Sequence, residues 1–116
     1  MRRWWIHLIA VLSLAALLSN ARATGSARPA AAPPANVAVS IENYSFSPDP
    51  ITVTVGTTVT WTNHDEVLHT VVSSDKLFSS PELEANQHFA FTFEKVGTFA
   101  YFCSIHPEMK GKVIVK

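Results

Sequence analysis

From residue 37 onward, apolar and polar positions alternate with a period of two. Val37, Val39 and Ile41 share one face. Ile51, Val53 and Val55 share another, with Thr52 and Thr54 opposite, and Gly56 breaks the run. Val59, Trp61 and Asn63 alternate with Thr58, Thr60 and Thr62; Phe89, Phe91 and Phe93 alternate with His88, Ala90, Thr92 and Glu94. Phe99, Tyr101 and Cys103 follow a Val96-Gly97 turn, and Lys112 to Lys116 closes the chain with Val113, Ile114 and Val115. Ser47-Pro-Asp-Pro50 reads as a turn, and His69 to Ser73 as a short strand. Short strands of β-branched and aromatic residues, punctuated by Gly, Pro and Asn, predict a fold without helices. The class expected is all-β, a Greek-key antiparallel β-sandwich. No internal repeat interrupts the pattern.

The first 36 residues do not share this pattern. Met1-Arg-Arg-Trp-Trp5 is basic, Leu8 to Leu18 is an apolar run of eleven residues broken only by Ser13, and Ala21-Arg22-Ala23 places small residues at a cleavage position. This predicts a secretory signal peptide over 1–23 and a periplasmic or otherwise exported product. A retained anchor is the competing reading, but a spanning helix needs about 20 apolar residues, and the run is shorter. Residues 24–36, TGSARPAAAPPAN, are rich in Ala and Pro and predict a flexible spacer or a disordered mature N-terminus. A single folded domain is expected over 37–116.

The full chain has 9 Lys+Arg and 9 Asp+Glu, a formal charge of zero. Cleavage after residue 23 would remove three arginines and no acid, leaving a charge of −3. That balance gives no electrostatic footprint for nucleic acid and no basic stripe for an anionic membrane. A monomer with no stable membrane insertion is expected. The lone cysteine, Cys103, has no partner within its own chain in a compartment where cysteines normally pair, which points to another role such as metal binding.

Cys103-Ser-Ile-His106-Pro-Glu-Met109 supplies that role. Cys103 and Met109 each lie three residues from His106. Thiolate, imidazole and thioether form a soft donor set that suits copper, and two His with one Cys and a weak Met define an electron-transfer copper site. His69, after the Asp65-Glu-Val-Leu68 loop, is the candidate for the second histidine. Taken singly, Cys103 and Met109 also fit a hydrophobic core, but that does not explain why both flank His106. His64 and His88 read as surface residues, the Phe89, Phe91, Phe93 stripe and Trp61 as core, and Asp65, Glu66, Glu82 and Glu84 as solvated acids that can at most steer a basic partner.

The stretch from Phe46 to Lys116 resembles the small blue copper proteins, the cupredoxins, and within them the amicyanin and plastocyanin group. The resemblance rests on Phe46-Ser-Pro48, Val59-Thr-Trp-Thr-Asn63, His69-Thr-Val71, Gly97-Thr-Phe-Ala-Tyr-Phe-Cys103, His106-Pro107, Met109 and Gly111-Lys-Val113. It implies His69, Cys103 and His106 as trigonal ligands, Met109 as the long axial one, and Asn63 as a tie from the His69 loop to the Cys103 loop through Ser104. Leu68 stands where Pro is usual and Thr70 where Asn is usual. The expected cofactor is one copper ion per chain, cycling between Cu(I) and Cu(II). The function implied is a type 1 copper electron carrier between redox protein partners, by analogy a donor dehydrogenase and an acceptor cytochrome or oxidase. A copper carrier or buffer using the same ligands is the alternative. An enzyme is not expected, because a mononuclear site with all protein ligands leaves no open position for substrate.

Overall fold

The computed structural model describes residues 35–116. The expected signal peptide and all but the last two residues of the expected spacer lie outside them. Eight strands follow in order: β1 (Asn36–Glu42), β2 (Ser45–Ser47), β3 (Ile51–Val53), β4 (Thr57–Asn63), β5 (Val72–Ser73), β6 (His88–Phe93), β7 (Gly97–Phe102) and β8 (Lys110–Val115). They form two four-stranded sheets, β2-β1-β4-β6 and β3-β8-β7-β5. The expected β-sandwich is present, and among the described residues no helix is long and apolar enough to cross a membrane.

Two ladders are parallel, β1 with β4 and β3 with β8; the other pairings are antiparallel. Parallel neighbours need a crossover between them. Here the chain after β1 turns back as β2, changes sheet to form β3, and returns to the first sheet as β4. β1 starts at Asn36, which pairs with Thr58.

The period-two pattern places the core between the sheets. Val39, Ile41, Val59, Trp61 and Phe93 point inward from the first sheet, and Ile51, Val53, Tyr101, Val113 and Val115 from the second. Aromatic edges join the layers: Phe46 meets Tyr101 at 4.8 Å between ring centroids, and Trp61 meets Tyr101 at 5.3 Å. Gly111 makes this packing possible. A Cβ there would lie 2.4 Å from Cζ of Tyr101, so the Tyr101 ring lies on bare backbone of β8. Two core members, Phe78 and Leu83, come from the long β5–β6 connection. That connection has no alternation to announce them. Val55 departs from its expected face: β3 ends at Val53, and Val55 is exposed.

Candidate metal centre

Two connections at one end of the sandwich carry the candidate donors. β4 ends at Asn63, and the chain then loops to His69, which is joined to Leu83 by an isolated bridge. The short strand expected from His69 to Ser73 is thus reduced to Val72–Ser73, because residues 69–71 pair with the β5–β6 connection. β7 ends at Phe102, so Cys103 stands at the start of the turn into β8. That turn is tight: the Met109 amide donates to the His106 carbonyl at 2.8 Å, and the Cys103 amide donates to the Met109 carbonyl at 3.0 Å. The backbone bonds thus bring Cys103, His106 and Met109 to one place.

The donor atoms of His69, Cys103 and His106 all lie within 4.8 Å of one another. Cys103 Sγ is 3.8 Å from His69 Nδ1 and 3.7 Å from His106 Nδ1. A first-row metal ion with one bond of about 2.3 Å to sulfur and one of about 2.0 Å to nitrogen, 120° apart, separates those atoms by about 3.7 Å. The two sulfur–nitrogen spacings therefore fit an ion bonded to Cys103 and to each imidazole. Cys103 and His69 are fully buried, Met109 is buried beside them, and His106 is partly exposed.

The surrounding bonds set the protonation that a metal requires. His69 Nε2–H donates to Asp65 Oδ2 at 2.8 Å, which leaves Nδ1 with its lone pair toward Cys103. Burial opposes ionisation of Asp65, but the amides of Tyr44 and Asn43 and the His69 ring outweigh it and hold the carboxyl below its ordinary value. Burial also opposes ionisation of Cys103. The Thr70 amide first, then the His106 ring and amide, favour the thiolate and hold the thiol below its ordinary value. Metal binds the thiolate, and these donors face the sulfur in that form.

Asn63 does not make the tie expected of it. Its Nδ2 donates to the carbonyls of Val67 at 2.9 Å and Leu83 at 2.8 Å, and its Oδ1 accepts from the Asp65 amide at 2.9 Å. It organises the His69 loop and the β5–β6 connection. The link between the ligand loops falls to Thr70. Its Oγ1 accepts from the Ser104 amide at 2.7 Å and shares a hydrogen bond with Ser104 Oγ at 2.8 Å. Its amide points at Cys103 Sγ, 3.4 Å away. Thr70 is next to His69 and faces Cys103 and Ser104 at the start of the turn, where its short hydroxyl meets the Ser104 amide. Asp65 also has a role beyond that of a solvated acid, since it orients His69. Four-residue spacing in a loop carries no signal, so the sequence did not single out this acid. His64 and His88 are exposed, as expected.

Two packed sheets with a buried cysteine sulfur, two imidazoles and a methionine at one end define a mononuclear copper protein of the β-sandwich class, because two His and one Cys beside a thioether suit copper. Residues 7–115 match the family model described as Cupredoxin-like domain. The chain belongs to the cupredoxin-like family. Among curated relatives, amicyanin-alpha of Methylorubrum extorquens is 34% identical over 90 residues, 73% of this chain and 76% of that protein. Among solved structures, a purple cupredoxin from Nitrosopumilus maritimus aligns with a TM-score of 0.66 and 38% identity, covering 69% of this chain and 99% of that one. A Cu-containing nitrite reductase from Thermus scotoductus aligns with a TM-score of 0.66 and 34% identity, over 72% of this chain and only 23% of that one.

Proposed function

We propose that this chain is a type 1 copper electron carrier of an exported compartment, in which His69, Cys103 and His106 would hold the ion with Met109 as a further, weaker donor. The observation that carries the reading is the convergence of three donor atoms within 4.8 Å, with Met109 bonded by its backbone into the same turn. Bound copper supplies the one-electron Cu(I)/Cu(II) couple. The chain's own residues do the rest. Asp65 holds the His69 ring, and Thr70 fastens the two ligand loops to each other, so the donors would be held in place before an ion binds. Burial of Cys103 and His69 keeps water from the sulfur. His106 is the donor that reaches the surface, and its outer edge offers a partner protein the shortest route to the centre.

The redox partners belong to the same proposal, as do a signal over 1–23, a spacer over 24–36 and a mature monomer. The reading also holds that the protein is a carrier and not an enzyme, since the four donors leave no coordination position for a substrate. The test is Cu(II) loading of the purified protein. One copper per chain and an intense blue or purple charge-transfer band, lost in Cys103→Ala, are expected. A colourless loaded protein, or a band that survives the substitution, refutes the site. A slow electron self-exchange rate in the coloured protein would favour copper storage over electron transfer.

A further inference from the structure

The turn between β1 and β2 carries a residue that its backbone does not favour. Glu42 and Ser45 are paired, so the turn has two residues, Asn43 and Tyr44. Both have positive φ, 52° and 58°. Such a turn favours Asn followed by Gly, because a Cβ is disfavoured in the left-handed region and a bulky side chain most of all. Asn43 conforms and Tyr44 does not. A disfavoured conformation is retained when something else depends on the side chain.

What depends on it is next to the metal centre. The Tyr44 ring stands edge-on to both imidazoles, with centroids 5.4 Å from His69 and 5.0 Å from His106. The turn is seated by the carboxylate that orients His69: Asp65 Oδ1 accepts from the Asn43 amide at 2.8 Å, and Oδ2 from the Tyr44 amide at 3.1 Å. The two histidines are supported unequally. His69 is fully buried and has a hydrogen-bond partner at Nε2. His106 is partly exposed, stands in the turn before β8, and has no partner for its Nε2 among the described residues. Apart from the contact of its Nδ1 with Cys103 Sγ, its ring packs against Tyr44 and against the His69 ring, 5.0 Å away.

We propose that Tyr44 is a positioning residue whose ring, seated on the Asp65 carboxylate, braces His106 against leaving the metal centre. Tyr44 does by packing for His106 what Asp65 does by hydrogen bonding for His69. The inference rests on His106 being a copper ligand. It predicts that without the Tyr44 ring the His106-off state gains population, and a competing ligand captures that state in proportion.

The test compares wild type, Tyr44→Gly and Tyr44→Phe as copper-loaded full-length proteins, titrated with free imidazole and followed by visible absorption. Glycine suits this turn, so metal-free Tyr44→Gly keeps a thermal midpoint equal to or above that of metal-free wild type, which separates a loosened site from a damaged fold. The copper of loaded Tyr44→Gly is captured at an imidazole concentration roughly tenfold lower than wild type requires. Tyr44→Phe keeps the ring and behaves as wild type. Equal sensitivity of wild type and Tyr44→Gly overturns the proposal, as does a Tyr44→Phe protein as sensitive as Tyr44→Gly. A wild-type protein with no charge-transfer band overturns the metal reading itself and this inference with it, so the two failures are told apart before any imidazole is added.

Discussion

Replacing Thr70 with valine isolates the strap between the two ligand loops. Valine keeps the shape of a side chain that is only 4% exposed and removes its hydroxyl. Two hydrogen bonds disappear, from the Ser104 amide at 2.7 Å and with Ser104 Oγ at 2.8 Å, along with a long contact from the hydroxyl to Cys103 Sγ at 3.8 Å. An intramolecular hydrogen bond contributes about 0.5–1.5 kcal/mol net, and a donor left buried without a partner costs more. Ser104 is exposed, so water can replace the lost partner and the lower part of the range applies. The expected loss is about 1.5 kcal/mol for the pair. For a domain of this size that lowers the thermal midpoint by roughly 6–12 °C. The assay is calorimetry of the metal-free protein, with Thr70→Ser as the control that keeps the hydroxyl. The same change removes a donor facing the thiolate. The sulfur then gives more electron density to the oxidised metal, so the reduction potential falls. A Thr70→Val midpoint within about 2 °C of wild type would show that the strap contributes nothing beyond what water supplies.

Three further outcomes are expected. Met109→Leu raises the reduction potential in cyclic voltammetry while most of the copper stays bound, because loss of a weak axial donor disfavours Cu(II) more than Cu(I); an unchanged potential removes Met109 from the axial position. Tyr101 has a buried hydroxyl with no partner among the described residues, and burial pushes its pKa up to about 12. The native protein then holds a proton that the unfolded chain releases near 10, so stability present below pH 10 is lost between pH 10 and 12. Tyr101→Phe flattens that alkaline decline in urea titrations, and near neutral pH it leaves stability equal or higher, by up to about 1 kcal/mol; an equally steep decline would show that other groups cause it. Mass spectrometry of exported material gives a chain beginning near Thr24, and an intact Met1 in the membrane fraction would instead support a retained anchor.

The two-residue period by itself determined the fold class, because a strand with one buried face must alternate. Val59, Trp61 and Tyr101 are buried as their parity requires. The donor chemistry was equally legible. A lone cysteine three residues before a histidine and six before a methionine leaves few other uses, and a tight turn suffices to gather all three. His69 was reachable as the histidine that opens an apolar stretch.

What the tertiary structure decided was every relation between distant segments. Alternation is silent about strand direction, so the parallel pairing of β1 with β4 and of β3 with β8 emerged only from the crossover of the chain between sheets. Phe78 and Leu83 reach the core from an irregular connection that has no period to read. The groups around the donors were hidden for the same reason. Asn63 and Thr70 both have side chains able to tie two loops, and only their positions relative to Ser104 and Leu83 assign the task to Thr70. Asp65 looks like any loop carboxylate until folding sets it against His69 and the Asn43–Tyr44 turn. Tyr44 lies 25 residues before His69 and 62 before His106 in sequence, yet its ring rests against both. Local physics sets which residues face inward and which atoms can bind a metal; the closing of the two sheets sets which side chains hold those atoms in place.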